Sequence, residues 1–374
     1  MRKSLIKRVD LIVIGAGLAG SAMAWQAHWR GLSVAMIDRL DVQTSSKVAA
    51  GLVTPITGAR AAATWRWSEF FPVANHFYRH VERTVGMAFW HVEPAVRVFH
   101  NLAERELIVA KWIGKDRTAG SESIGAALMS GSDLFGFKAP YGMCSMEPAA
   151  RLDTIAYLAE TQRYFEAIDG FYAFHLQCDS DMEFESIGSE YPVKLPALQL
   201  AGKWVVFCQG IAARENRYFG HLPLHPARGD ILLVKSPEVD CQHVIHHDAW
   251  AVPMGEQRYL VGATYDRVSL NDPADPNAEK GTRFRDELMQ RWESLTEGTF
   301  QGGQHTVLEQ RWAVRPASYD RHPLIGPHDV HSNAFCINGL GSKGTLMAPR
   351  LADLALDAMK GKPIDPALLW SRRK

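Results

Sequence analysis

The first apolar run of the chain, Val9 to Ile14, is broken only by Asp10 and reads as a buried strand. From Leu18 to Arg30 the period changes. Leu18, Ala22, Trp25 and Trp29 fall on one helical stripe, and Gly31 supplies a stop. A second apolar run, Ser33 to Asp38, completes a β-α-β unit. Between about Pro72 and Pro140 the pattern is mixed and aromatic, without a β-α-β rhythm. A helix is predicted over Glu147–Phe165 and a short buried strand over Trp204–Cys208. From Gly229 to Thr264 the apolar runs Ile231–Val234, Val244–Ile245, Trp250–Pro253 and Tyr259–Ala263 alternate with turn residues, the pattern of an antiparallel sheet. Asp272–Asn277 reads as a loop and Thr282–Leu295 as a helix. Near the end, strand-like Phe335–Ile337 and a stretch from Gly339 to Gly344 precede a last helix. Leu351, Leu354, Ala355, Ala358 and Met359 share one face of it. The order predicts an α/β dinucleotide-binding unit made of separated pieces, with a sheet domain inserted between them.

Composition narrows the partners. The 374 residues suit about two domains. Lys plus Arg and Asp plus Glu number 41 each, so no net field draws the chain to nucleic acid or an anionic membrane. The five cysteines are scattered and form no Cys-x-x-Cys, which argues against a disulfide framework or structural zinc and suits a reducing, cytoplasmic setting. His246-His247 has no partner at metal-ligand spacing, so no metal is expected. No stretch is long and apolar enough to span a bilayer. The start, Met1 to Arg8, is basic like the head of a secretion signal, but the apolar run behind it, Val9 to Ile14, is short, goes straight into the glycine loop and reads as a buried strand.

The strongest chemical signal is Gly15-Ala16-Gly17-Leu18-Ala19-Gly20, set between strand and helix. Gly15 permits the tight turn, Gly17 lets backbone approach a pyrophosphate, and Gly20 allows close helix–strand packing. The helix start then offers free N–H groups and partial positive charge to phosphates. Asp38, followed by Arg39, ends the second strand at the spacing that accepts a ribose hydroxyl. FAD and NAD share this ADP half, so the unit alone does not separate them.

Four further segments resemble the D-amino-acid-oxidase superfamily of FAD-dependent oxidoreductases, in particular its glycine-oxidase-like members and the oxidase domain of the bifunctional tRNA wobble-uridine modification enzyme. The first is Ser45-Ser46-Lys47-Val48-Ala49-Ala50-Gly51-Leu52. By this resemblance Ser45 and Ser46 contact the pyrophosphate, and Ala49, Ala50, Gly51 and Leu52 run along the flavin. The second is Cys208-Gln209-Gly210, near the adenosine half. The third, Pro226-Ala227-Arg228-Gly229-Asp230, reads as structural, with Arg228 as an ion-pairing group. The fourth joins Arg315-Pro316 to Gly339-Leu340-Gly341-Ser342-Lys343-Gly344, with Thr345 and Leu346 opening the last helix. Backbone N–H groups there would stabilise negative charge on reduced flavin, with help from Lys343.

The resemblance implies non-covalent FAD in an α/β fold. It has a Rossmann-like domain of the glutathione-reductase type (1–80, 145–215 and 306–374) and an inserted antiparallel-sheet substrate domain (81–144 and 216–305). It implies oxidation of a small amino acid or secondary amine by hydride transfer to flavin N5. The resulting imine hydrolyses, and oxygen or another electron acceptor reoxidises the flavin. Arg315 would grip the substrate carboxylate, Lys343 would lie near flavin and substrate, and Trp250 would stand on the pocket wall. Tyr265, His247, Arg60, Trp65 and Arg66 are further pocket candidates. Three rivals remain: action on a modified tRNA nucleotide, a flavin-binding protein without turnover, and an NAD-dependent dehydrogenase.

Overall fold

The computed structural model describes residues 6–114, 124–130, 136–185, 188–267, 278–296 and 305–373. Strand β1 (Lys7–Ile14) lies parallel between β2 (Val34–Asp38) and Leu200–Phe207. Phe171–Ala173 extends the sheet beyond β2, and Ala334–Asn338 runs parallel to the second half of Leu200–Phe207. Leu11 to Ile14 and Val205 to Phe207 are all buried, as both faces of a parallel sheet demand. Helix α1 (Leu18–Trp29) packs on one face beside the C-terminal helix Gly344–Met359, which in turn packs on the helix Trp67–Val85.

A second sheet carries the strands anticipated from Gly229 to Thr264. Ala227–Lys235, Arg258–Gly262, Trp250–Pro253 and Ile245–His246 are antiparallel neighbours. Ala95–Val98 joins this sheet through a parallel pairing with Ile245–His246, and Met143–Glu147 follows. Thr306–Arg315 is hydrogen-bonded along the whole of Ala227–Lys235. A boundary at 305/306 therefore cuts that strand from its own sheet, and one at 144/145 divides Met143–Glu147.

Other expectations shift for local reasons. The helix Trp67–Val85 runs into the segment expected to lack a β-α-β rhythm and buries Trp67, Phe70, Phe71, Ala74, Phe77, Tyr78 and Val81, mostly at three- and four-residue spacing. Pro72 reads as a breaker but sits in the second turn, where it forfeits one backbone bond. Leu102–Trp112 is also helical, capped by Asn101, whose side chain accepts from Glu104 N at 2.9 Å. The helix expected from Glu147 begins at Thr154, because Asp153 caps it by accepting from Ala156 N at 3.0 Å. The residues before that cap, Ala150–Leu152, pair instead with Leu52–Val53 and Trp90–Val92. The helix expected over Thr282–Leu295 spans Ala278–Thr296. The Asp272–Asn277 loop lies outside the described residues. Among the described residues no helix is long and apolar enough to cross a membrane.

Candidate active site

The glycine loop is packed from both sides. Gly15 has φ of +95°, and a Cβ there would stand 2.6 Å from Cys208 O. A Cβ on Gly17 would lie 2.7 Å from Ser46 Oγ, the atom that accepts from Leu18 N at 3.0 Å. Gly20 meets Gly15 O itself, so it serves helix packing. The Asp38 carboxylate accepts from Ala16 N at 2.6 Å and Leu40 N at 2.7 Å, tying the loop to the end of β2. Leu18 N is taken by Ser46 Oγ, while the next N–H groups of the first turn, those of Ala19 and Gly20, have no partner within the helix.

A long cleft runs past this loop. At one end it is lined by Asp38, Arg39, Cys178 and Gln209, and at the other by Gly51, Leu52, Trp250, Arg315, Gly341 and Thr345. Gly17, Ser45, Ser46, Cys208 and Gly210 border both halves. Gly15, Ala16, Leu18, Ala19, Ala49, Ala50, Ser342 and Gly344 also line it. Four expected residues do not, Lys343 among them, which lines the outer arm described below. Gly20 lies under the loop, Gly339 packs on Leu324, and Leu346 is 1% exposed in the core. Arg39 is drawn into ion pairs with Asp41 and with Glu215 at 3.3 Å. The Gln209 side chain turns to Asn216, so its backbone faces the cleft.

The far end is built where the two sheets meet. Gly341 has φ of +54° and donates its N–H to Pro316 O at 3.2 Å, which ties the glycine turn to the Arg315 strand. The helix that follows starts at Gly344 without a side-chain cap, so a second set of free N–H groups opens on the cleft. Arg315 lies flat across Gly229, where a Cβ would come within 2.0 Å of its Nη2. Its Nη1 donates to Arg228 O at 3.4 Å and Thr264 O at 3.3 Å. Burial lowers its pKa, with Tyr265 and Asp230 opposing. Among the described residues no carboxylate is within ion-pair distance of it. Arg228 is the structural arginine instead. Its guanidinium bonds both oxygens of Asp230, at 2.9 and 3.1 Å, between the rings of Trp312 and Phe284. Trp250 is seated the same way as Arg315, on a glycine, since a Cβ on Gly262 would be 2.4 Å from its ring.

Beyond Trp250 the space continues. Leu52, Trp250 and Ser342 border both the cleft and a second arm, which is lined by Lys343, His246, His247, His100 and Asp248. Lys343 thus faces the outer arm, and burial pulls its pKa down to about 8. Burial, then Arg97 and Lys343, hold His246 at about 3, and its Nε2 has no hydrogen-bond partner among the described residues. His100 stacks on His247 with ring centroids 3.9 Å apart, and its Nδ1 is 3.5 Å from Asp248. Arg97 is satisfied by Glu104, with Nε to Oε1 at 2.8 Å.

A model of the family described as FAD dependent oxidoreductase (DAO) matches residues 10–358. The chain belongs to that family. This FAD-dependent oxidoreductase is 28% identical over 357 residues to the tRNA 5-methylaminomethyl-2-thiouridine biosynthesis bifunctional protein MnmC of Maricaulis maris, covering 94% of this chain and 52% of the relative. It thus spans about half the length of that protein. Against the glycine oxidase of Bacillus licheniformis it is 22% identical over 378 residues, covering 96% of this chain and 95% of the relative. The solved glycine oxidase from Geobacillus kaustophilus shares the fold, with a TM-score of 0.71 at 16% identity over 97% of this chain and 98% of that one.

Its cofactor is FAD, and the cleft suits it. A Cβ on Gly17 or Gly51 would collide with Ser46 or Leu152, so bare backbone lines the cleft there, and two helix starts converge on one channel. The sequence points singly to Trp250, Lys343 and His247 but not to their meeting with His100 and Asp248 in one outer arm. His100 and His246 come from segments that share no local period. Neither Trp65 nor Arg66 lines the described cleft. Trp65 stacks on His322, and Arg66 pairs with Glu69 and Asp365. Arg60 is exposed beside Lys111, and Tyr265 is 54% exposed. Cys336 is buried in its strand, and all five cysteines are free.

Proposed function

We propose that this flavoenzyme oxidises a small amino acid or secondary amine that carries a carboxylate. One observation carries the reading: a half-buried guanidinium, Arg315, faces the cleft with no carboxylate partner among the described residues. A partly desolvated cation of that kind is a seat for an anion. Bound FAD supplies an acceptor for hydride from the carbon beside nitrogen, leaving an imine that water hydrolyses. Arg315 holds the carboxylate and so fixes which carbon faces the cleft. Trp250 stands where the reacting region meets the outer arm. The N–H groups from Gly341 to Thr345 stabilise negative charge at that end. The N–H groups of Gly17 and Ala19, with Ser45 and Ser46, hold the diphosphate, and Asp38 the ribose. The parallel-sheet unit carries the cofactor and the antiparallel sheet the substrate. FAD is held non-covalently, and oxygen or another acceptor reoxidises it. Equal numbers of basic and acidic residues, 41 each, support a free amine over a tRNA substrate.

The test is anaerobic bleaching of the bound flavin by a panel of amines and amino acids. At least one carboxylate-bearing amine should bleach it. Removing one partner of a buried charge pair costs about 2–5 kcal/mol, so Arg315→Met should lower kcat/KM on the order of 10²- to 10³-fold. A flavin that no amine bleaches sinks the reading.

A further inference from the structure

We propose that the site selects amines bearing a second acidic group on the nitrogen substituent, and that Lys343 binds that group on the far side of Trp250. This rests on the amine-oxidation reading above. The cleft forks at Leu52, Trp250 and Ser342. One branch ends on Arg315 and the other on Lys343. Among the described residues neither cation has a carboxylate within ion-pair distance, while the other charged groups of the outer arm are matched. Arg97 is paired with Glu104, and His100 faces Asp248. Next to Lys343, neutral His246 offers an Nε2 without a hydrogen-bond partner among the described residues, so a second polar contact is ready for the same group. An amine with one acid leaves one of two desolvated cations uncompensated. An amine with two acids answers both, and its nitrogen falls at the fork beside Trp250.

Isothermal titration calorimetry on the FAD-loaded protein tests this with two ligands in which sulfur replaces the amine, so that neither is oxidised. They are thiodiacetate, with two carboxylates, and (methylthio)acetate, with one. Thiodiacetate should bind at least about tenfold more tightly. Lys343→Met should bring the two within threefold of each other, and Lys343→Arg should keep most of the preference. Equal affinities in the unaltered protein overturn the proposal, as does a Lys343→Met variant that weakens both ligands by the same factor. A preserved preference in a protein whose flavin no amine bleaches would remove the oxidase reading and leave the second anion seat standing.

Discussion

Gly51 is the sharpest place to perturb the cofactor cleft. Its φ is +71°, and a Cβ built on it stands 1.9 Å from Leu152 O and 2.8 Å from Leu152 C. Both obstacles are backbone, held by the Leu152 N to Gly51 O hydrogen bond of 3.0 Å and by the pairing of Ala150–Leu152 with Leu52–Val53. In Gly51→Ala the loop must retreat by roughly 1 Å to reach a tolerable separation, and the open direction is the cleft that Ala50 to Leu52 line. A left-handed conformation costs an alanine about 1–2 kcal/mol. Loss of the Leu152 hydrogen bond, with its groups left buried, adds about 1–3 kcal/mol. The sum, about 2–5 kcal/mol, falls on folding, while only the clash, about 1–3 kcal/mol, recurs when FAD presses the displaced loop back. The dissociation constant should rise about 5- to 150-fold. FAD fluorescence titration of the apoprotein measures it, with thermal melting followed by circular dichroism. Gly31→Ala is the control: φ is +76° there, but nothing lies within 4 Å, so it carries the strain without the clash and should leave FAD affinity unchanged. A Gly51→Ala protein that binds FAD within threefold of the parent refutes the reasoning.

Two further outcomes follow from buried charge. Asp230→Ala strands the Arg228 guanidinium, whose side chain is 2% exposed, and should destabilise the fold by about 3–5 kcal/mol in urea denaturation; a loss below about 1 kcal/mol contradicts the buried-pair account. His246 titrates at about 3 in the folded chain against an ordinary 6.5, so between those values the unfolded chain takes up a proton that the folded chain does not. Its contribution to stability is complete above pH 6.5 and is lost as pH falls towards 3. His246→Gln should therefore flatten the fall of melting temperature between pH 6 and pH 4, and superimposable acid limbs would rule this out.

Local pattern carried the β1–α1–β2 unit, because strand and helix periods and the glycine turn are each written within a few neighbouring residues. The strands from Gly229 to Thr264 were legible for the same reason. Trp67–Val85 was equally periodic but was not singled out within its aromatic surroundings. Boundaries were less legible. The start of the Thr154 helix depends on Asp153 turning its side chain onto Ala156 N, and the fate of Thr306–Arg315 depends on a partner strand far back in the chain.

The sequence by itself determined the cofactor loop, the family resemblance and the choice of Arg315, since each rests on residue types at fixed short spacing. Only the tertiary structure decided what surrounds Arg315. It seats the guanidinium on Gly229, gives the ion pair to Arg228, turns Lys343 into the outer arm, and brings His100 and His246 beside it. The physical reason is that charge compensation is a property of space. Whether a buried cation is neutralised by its own protein or left for a ligand depends on strands that meet across the sheet, and no period along the chain records that meeting.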